Sequence, residues 1–226
     1  MKKLASLVSG LLLGLSLACG GGSSTTPTTP QTPASGLAYA DPTGTGWRLV
    51  QDAASTPTRI ILDLVGPTGT TSRGAGFNLQ ASPGVHFGVF TETGFPINDT
   101  GVYELLNAGP SAANPNIHSY PYESKLLAGG VKPGNILTVG IFQKDRRFSA
   151  KDSGTALCQI ALELDPAGSV KKGDALALAV PKARLIPGDI GAAGIDGWAS
   201  TAEFNDAQAK AHSVPISIAV GTLVAH

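Results

Sequence analysis

The segment from Ala156 to Leu164 constrains the fold of this chain more than any other part of the sequence. Apolar residues occupy every second position of it, and the positions between them hold Leu157, Gln159, Ala161 and Glu163. A period of two with one polar side is typical of a β-strand that packs one face on a core. We therefore expect an antiparallel sheet here, with Cys158, Ile160 and Leu162 facing inward.

Similar strand-like segments recur along the chain, with turns rich in Gly and Pro between them. They cover residues 59–65, 76–81, 85–90, 136–142, 174–180 and 214–224, and a turn is expected at residues 132–135. Helical patterns are restricted to residues 100–106 and 205–211. Seven or more short strands without a regular strand–helix alternation predict an all-β sandwich or barrel.

The first residues have the pattern of a secretion signal. Lys2 and Lys3 precede an apolar run that extends from Leu4 to Ala18. A basic start followed by a short apolar stretch is typical of a signal peptide, and the run is shorter than the roughly twenty residues that a membrane-spanning helix needs. We expect residues 1–18 to be a signal peptide.

Ala18-Cys19 resembles the end of a bacterial lipobox, with Ser16 at the position where that motif prefers Leu. The resemblance implies that Cys19 is lipidated and becomes the mature N-terminus. It also implies the outer membrane as the location, because Gly20 stands where an inner-membrane lipoprotein has Asp. The folded part would then be lipid-anchored and either periplasmic or exposed at the cell surface.

Residues 19–36 contain little besides Gly, Ser, Thr and Pro, and they carry no charge. Such a composition buries too little apolar surface to offset the entropy of ordering. We expect a flexible tether over residues 19–36 and a single folded domain over residues 37–226.

The net charge and the cysteines exclude several classes of partner and any disulfide within the mature chain. The chain has 16 Lys and Arg against 16 Asp and Glu, and because Lys2 and Lys3 leave with the signal, the mature protein is slightly acidic. This balance argues against nucleic acid or an anionic membrane surface as partner, since both require clustered basic residues.

With Cys19 lipidated, only Cys158 remains, so no disulfide can form within the mature chain. We interpret Cys158 as a small buried core residue.

Two segments resemble the cohesin-type β-sandwich, a fold that some carbohydrate-binding modules share. They are residues 74–85, which begin Gly-Ala-Gly-Phe-Asn-Leu, and residues 148–162, which end Ala-Leu-Cys-Gln-Ile-Ala-Leu. The likeness spans about residues 59–185, and Ala81-Ser82 replaces the Tyr-Asp that is usual in the family. The resemblance implies a cohesin-like antiparallel β-sandwich of jelly-roll type, with one or two short helices, whose sheet face could meet a protein.

The sequence contains no recognisable catalytic motif. The sequence lacks Gly-x-Ser-x-Gly, and none of its histidines has a metal-binding spacing. We expect all four of them, His86, His118, His212 and His226, to be solvated or packed, with His86 on the outward side of its strand. The acidic residues Asp189, Asp196, Glu203 and Asp206 share one loop that could hold calcium, although their spacing fits no calcium-loop motif; no other cofactor is expected.

Aromatic residues make up only 6% of the chain, so those in predicted loops are candidate binding residues. Tyr120 and Tyr122 flank Pro121 in a long loop, Trp198 lies in the acidic loop, and Trp47 follows a Gly-rich turn. Such rings can stack on sugars or anchor a protein partner, or they can cover the ends of a core. The outward residues of the strand at Ala156 include no aromatic ring, so this face is expected to offer a sugar no stacking platform.

These observations favour a non-catalytic binding or adhesion module whose ligand is a surface protein or a polysaccharide. One alternative is a structural accessory lipoprotein of an envelope complex, without a soluble ligand. Another is an enzyme with its catalytic groups dispersed over loops.

Overall fold

A computed structural model describes residues 31–90, 102–106, 124–143, 149–166, 170–188 and 212–226. The elements of this part are β-strands: β1 Leu37–Ala40, β2 Arg48–Gln51, β3 Ile60–Val65, β4 Thr71–Ala81, β5 Val85–Gly88, β6 Val102–Glu104, β7 Ser124–Lys132, β8 Ile136–Gln143, β9 Lys151–Asp152, β10 Cys158–Leu164, β11 Ala175–Leu176, β12 Leu178–Pro187, β13 Val214–Ile216 and β14 Thr222–Ala225. Within these ranges no helix is long and apolar enough to cross a membrane.

The strands form three sheets, and every strand pair in them is antiparallel. A five-stranded sheet has the order β2-β3-β10-β5, with β6 also paired to β10. A six-stranded sheet has the order β13-β12-β4-β8-β7, with β9 paired to β4, and a three-stranded sheet has the order β1-β14-β11. The prediction of an all-β fold built from antiparallel sheets is confirmed.

One apolar core joins the sheets. Leu62 and Ile160 come to it from the five-stranded sheet, Leu79 and Leu137 from the six-stranded sheet, and Leu223 from the three-stranded sheet. Each of these side chains is at most 2% exposed. Burying a side chain of this size contributes about 1.5–3 kcal/mol, so packing between sheets holds the described strands together.

Three expectations about local structure were wrong. Residues 100–106 contain the strand β6, not a helical turn, because Val102 pairs with Ile160 and becomes fully buried. The alternation of residues 85–90 places Val89 on the inward side with Val85 and Phe87, but β5 ends at Gly88 and Val89 is 47% exposed. The segments at 174–180 and 214–224 each contain parts of two strands. The helix expected at residues 205–211 lies outside the described residues.

The alternation that predicted β10 holds for most of the strand. Cys158, Ile160 and Leu162 are fully buried, as expected. Leu157 was expected to face outward, but it precedes the strand and packs in the core. Ala161 does occupy an outward position, yet it is fully buried, because it is small and lies in register between Ile61 and Gly88.

The first and last described strands close the structure by pairing with each other. β1 and β14 are in register from Leu37 opposite Ala225 to Ala40 opposite Thr222. The buried Tyr39 hydroxyl donates to the Leu49 carbonyl at 2.9 Å and accepts from the Gly221 N–H at 2.6 Å. Burial raises the pKa of Tyr39 to about 12, so this hydroxyl stays protonated and links the three-stranded sheet to β2.

Candidate functional site on the five-stranded sheet

Most of the candidate residues from the sequence lie outside the described residues. These are Cys19, the aromatic residues Tyr120, Tyr122 and Trp198, and the acidic residues Asp189, Asp196, Glu203 and Asp206. Across the ranges that the structure does describe, no group of three or more His, Cys, Asp and Glu could hold a metal ion.

Trp47 is the candidate ring that the structure places. It is half-buried and packs against the core, and its indole lies directly over Gly66. A Cβ atom at Gly66 would be 2.8 Å from three atoms of that ring. Trp47 therefore covers the edge of the core and does not form a free binding platform.

The outer face of the five-stranded sheet collects polar and aromatic side chains from distant parts of the chain. Gln159 of β10 is opposite Asp63 of β3 on one side and Tyr103 of β6 on the other. Glu163 is opposite His86 of β5. Paired residues on neighbouring strands project to the same side of a sheet. We name this surface the polar–aromatic face and define it by eight residues: Asp52, Arg59, Asp63, His86, Phe90, Tyr103, Gln159 and Glu163.

Two carboxyl groups share one amide on this face. The Nε2 of Gln159 donates to Asp63 Oδ1 at 3.0 Å and to Asp52 Oδ2 at 3.3 Å. The other oxygen of Asp52 accepts the Ala54 N–H at 2.7 Å. Burial, together with the neighbouring Asp52 carboxylate, raises the pKa of Asp63 to about 6, although the Gln159 bond acts in the opposite direction.

Arg59, His86 and Glu163 form a second cluster on the same face. Glu163 forms an ion pair with Arg59, and its other oxygen lies 3.1 Å from His86 Nε2. Arg59 also donates to the Val89 carbonyl at 3.0 Å. His86 is on the outward side of its strand, as the alternation of β5 predicts. Its contact with Glu163 depends on the pairing of β5 with β10 and has no signature in the sequence.

An aromatic pair lies beside these charges. The rings of Phe90 and Tyr103 are 5.5 Å apart between centroids, with 38° between their planes. The guanidinium carbon of Arg59 is 4.9 Å from the centroid of Phe90, within the range of a cation–π contact. Phe90 follows His86 and Gly88 at alternate positions, so it continues the outward side of β5 beyond the end of that strand.

These rings correct the expectation that this face would lack aromatic residues. The strand β10 itself has none, but Tyr103 is brought next to Gln159 by β6 and Phe90 is brought by the end of β5. Tyr103 was missed because residues 100–106 were interpreted as a helical turn, whereas Phe90 lies in the expected strand 85–90 and was not considered as a surface ring. The sequence Val102-Tyr103 is rich in residues that favour strands and was the available signal.

Gly88 makes room for the ion pair. A Cβ atom at this position would collide with the Glu163 carboxylate and would lie 2.7 Å from Arg59 Nη1. The ends of these two flexible side chains therefore lie directly over the backbone of β5, and a side chain at position 88 would push them aside.

His86 also lines a groove of about 770 Å³ at one end of the strands. Ser82, Val85, Asn135 and Asp165 contribute to its walls. Asn135 has a positive φ of 55° in the expected turn, and its side-chain amide donates to three carbonyls of the segment from β4 to β5, the shortest contact being 2.7 Å to Val85. Hydrogen bonds from Asn135 therefore hold this wall of the groove in place, and through His86 the groove adjoins the polar–aromatic face.

Gly88→Ala should lower the melting temperature slightly relative to Gly130→Ala, because the added methyl group pushes aside the flexible ends of Arg59 and Glu163, whose partly exposed ion pair is worth about 1 kcal/mol or less. Gly130→Ala is the matched control: Gly130 is also a strand glycine, and a Cβ atom there meets nothing within 4 Å. Thermal unfolding of the two variants and the wild type checks this. Equal melting temperatures for the two variants would contradict the proposed crowding at Gly88.

Asp63→Asn should stabilise the protein at neutral pH and have little effect near pH 4. The folded-state pKa of Asp63, about 6, is above its ordinary value of 3.8. The folded protein therefore binds the proton more tightly than the unfolded chain, and stability falls as the pH rises from about 4 to 6. The difference in melting temperature between variant and wild type should grow over that interval and then level off. A constant difference from pH 4 to pH 7 would contradict the raised pKa.

Comparisons with known proteins give a likeness in structure only. No protein-family model matches the chain, and no curated protein matches it. The structure is similar to a crystal structure of a type II cohesin domain from the cellulosome of Acetivibrio cellulolyticus, with a TM-score of 0.45 and 12% sequence identity. The match covers 80% of this chain and 95% of that domain, and at this identity it concerns the fold alone.

Proposed function

We propose that this chain is a non-catalytic binding module, tethered to the outer membrane by a lipid on Cys19, that recognises a surface protein or a polysaccharide through the polar–aromatic face. The observation that carries the proposal is the convergence of Phe90, Tyr103 and Arg59 with hydrogen-bonding groups on one side of a rigid sheet. Tyrosine and arginine are enriched among the residues that dominate binding energy at interfaces.

The geometry of the face supports recognition because its side chains are held in place before a ligand arrives. Arg59 is fixed by Glu163, by the Val89 carbonyl and by the Phe90 ring. Gln159 is fixed by two carboxyl groups. Groups that are already ordered lose less conformational entropy on binding. Because Arg59 and Glu163 remain about 30% exposed, a ligand can reach them.

The anchor proposal rests on Ala18-Cys19 and on the length of chain that follows. Among the described residues, Thr32 already bonds to the folded part, because its carbonyl accepts the Lys172 N–H at 2.9 Å. Thr32 lies 13 positions after Cys19, which corresponds to at most about 45 Å of extended chain. As a random coil the same segment would span about 20 Å. The lipid would then keep the module close to the membrane while leaving it free to turn.

The loop residues from the sequence remain part of the proposal. Tyr120, Tyr122 and Trp198 are proposed as additional ligand contacts, and calcium at Asp189, Asp196 and Asp206 remains a prediction. Their contribution is separable from that of the polar–aromatic face, because variants of the loops and of the sheet can be made independently.

Cys19→Ala should release the protein from the membrane fraction, or leave its signal peptide uncleaved, because no acyl chain can be attached. Cys158→Ala is the matched control: this cysteine is fully buried in β10, and its loss should not change the location of the protein. Detergent phase partitioning of both variants makes the comparison. Partition of a cleaved Cys19→Ala protein into the detergent phase, as in the wild type, would refute lipidation.

Tyr103→Ala and Phe90→Ala should reduce binding to isolated envelopes about tenfold or more, since loss of one stacking or anchor ring costs roughly 1–3 kcal/mol. Asn78→Ala is the control, because Asn78 is a half-exposed residue of β4 in the six-stranded sheet. The assay is sedimentation of the soluble Cys19→Ala protein with envelopes, with melting temperatures measured in parallel.

Treatment of the envelopes then identifies the ligand class. Loss of binding after protease indicates a protein, and loss after polysaccharide digestion indicates a glycan. If the ring variants keep their melting temperatures and still bind as well as Asn78→Ala, the polar–aromatic face is not the binding surface.

A further inference from the structure

The charges on the polar–aromatic face are not balanced. Glu163 is paired with Arg59 and contacts His86. Asp52 and Asp63, in contrast, form no ion pair with any described Lys, Arg or His; their side chains contact the Gln159 amide, the Ala54 N–H and each other. Arg48 of β2 projects to the same side of the sheet, but its guanidinium donates to the Gly46 carbonyl. Among the eight residues of the face, three carboxyl groups are therefore opposed by one guanidinium, that of Arg59.

The distance between the two strands that flank Gln159 suits the charged end of one lysine or arginine side chain. Asp63, Gln159 and Tyr103 are in register on three neighbouring strands. Neighbouring strands are about 4.7–4.9 Å apart, so the backbones of Asp63 and Tyr103 are roughly 10 Å apart, with Gln159 between them. A cation above Gln159 could contact a carboxylate on one side and an aromatic ring on the other.

The protein itself shows that an aromatic ring of this face accepts a cation. Arg59 lies over Phe90 at 4.9 Å, which is a cation–π contact within the chain. The same contact covers one side of the Phe90 ring, and the neighbouring Tyr103 restricts it further. A sugar that needs an open ring to stack on is therefore a poorer fit to this pair than a compact cation.

A bound metal ion fits less well. Calcium takes six to eight oxygen ligands, whereas Asp52 and Asp63 are two carboxylates that already accept hydrogen bonds from Gln159 and Ala54. A lysine or arginine side chain needs only one or two acceptors, and it brings its own donors to them.

We infer that the ligand of the polar–aromatic face is a protein that places a lysine or arginine side chain over Gln159, between the Asp52 and Asp63 carboxyl groups and the Tyr103 ring. This inference rests on the proposed function and names the partner class for the same face. The occupant is inferred from charge complementarity, because the three carboxyl groups of the face outnumber its one guanidinium and lie beside an aromatic pair that already contacts that guanidinium. The raised pKa of Asp63 is consistent with a carboxyl pair that lacks a cation.

The test is an NMR titration of the soluble Cys19→Ala protein with the peptide acetyl-Gly-Lys-Gly-amide at pH 7.5. We expect saturable shifts of the Gln159 side-chain amide and of the Tyr103 ring, with a dissociation constant of about 1–10 mM. The shifts should weaken as salt is added, because the attraction is between exposed charges. The peptide acetyl-Gly-Glu-Gly-amide is the control ligand and should cause no saturable shift.

Asp63→Asn is the decisive variant, since it removes the charge but keeps the shape of the side chain. It should weaken binding of the lysine peptide at least fivefold. Asp152→Asn is the matched control: Asp152 is an exposed carboxylate of β9 in the six-stranded sheet, and its replacement should leave binding unchanged.

Several results would overturn the inference. Equal shifts with the lysine and glutamate peptides, or equal binding by the wild type and Asp63→Asn, would show that the carboxyl pair does not select a cation. Saturation of the same signals by micromolar calcium would indicate a metal site instead. If the lysine peptide fails to bind while Tyr103→Ala still abolishes envelope binding, the proposed function stands and this inference is wrong. If neither effect is seen, both are wrong.

Discussion

The pairing of β10 with its neighbours is the constraint on which the rest of the structure depends. β10 lies between β3 on one side and both β5 and β6 on the other. Its inward residues, Cys158, Ile160 and Leu162, are fully buried in or against the core. Its outward residues, Gln159 and Glu163, hold the two polar clusters of the opposite face. Alternate residues of this one strand therefore contribute to the apolar core and to the candidate site.

The two outward residues of β10 have different physical effects. Glu163 forms an ion pair with Arg59 and contacts His86, so its carboxylate has a cationic partner. Gln159 instead holds two carboxyl groups together, and they repel each other when both are charged. A neutral amide does not remove that repulsion, and burial adds to its cost. A carboxyl pair held together at such a cost is typical of functional surfaces, and this supports the proposed placement of the ligand on this side of the sheet.

The sequence predicted the architecture much better than the site. The period of two in β10 and the pattern Phe77-Asn78-Leu79 are local signals, and both strands formed with the expected core residues. The polar–aromatic face depends on register between strands far apart in the chain, since Gln159 is 96 residues from Asp63 and 107 from Asp52. No local pattern encodes such a pairing. Tyr103 was missed for a related reason, because β6 is a short strand whose conformation is fixed by its pairing with β10.

The central claim is that the outer face of the five-stranded sheet, and not that of the six-stranded sheet, contacts the ligand. The most direct measurement is photocrosslinking in intact envelopes, with benzoylphenylalanine introduced either at position 103 in β6 or at position 78 in β4. The account predicts a covalent adduct from position 103 and none from position 78. An adduct from position 78 alone would place the ligand on the opposite face and contradict the account.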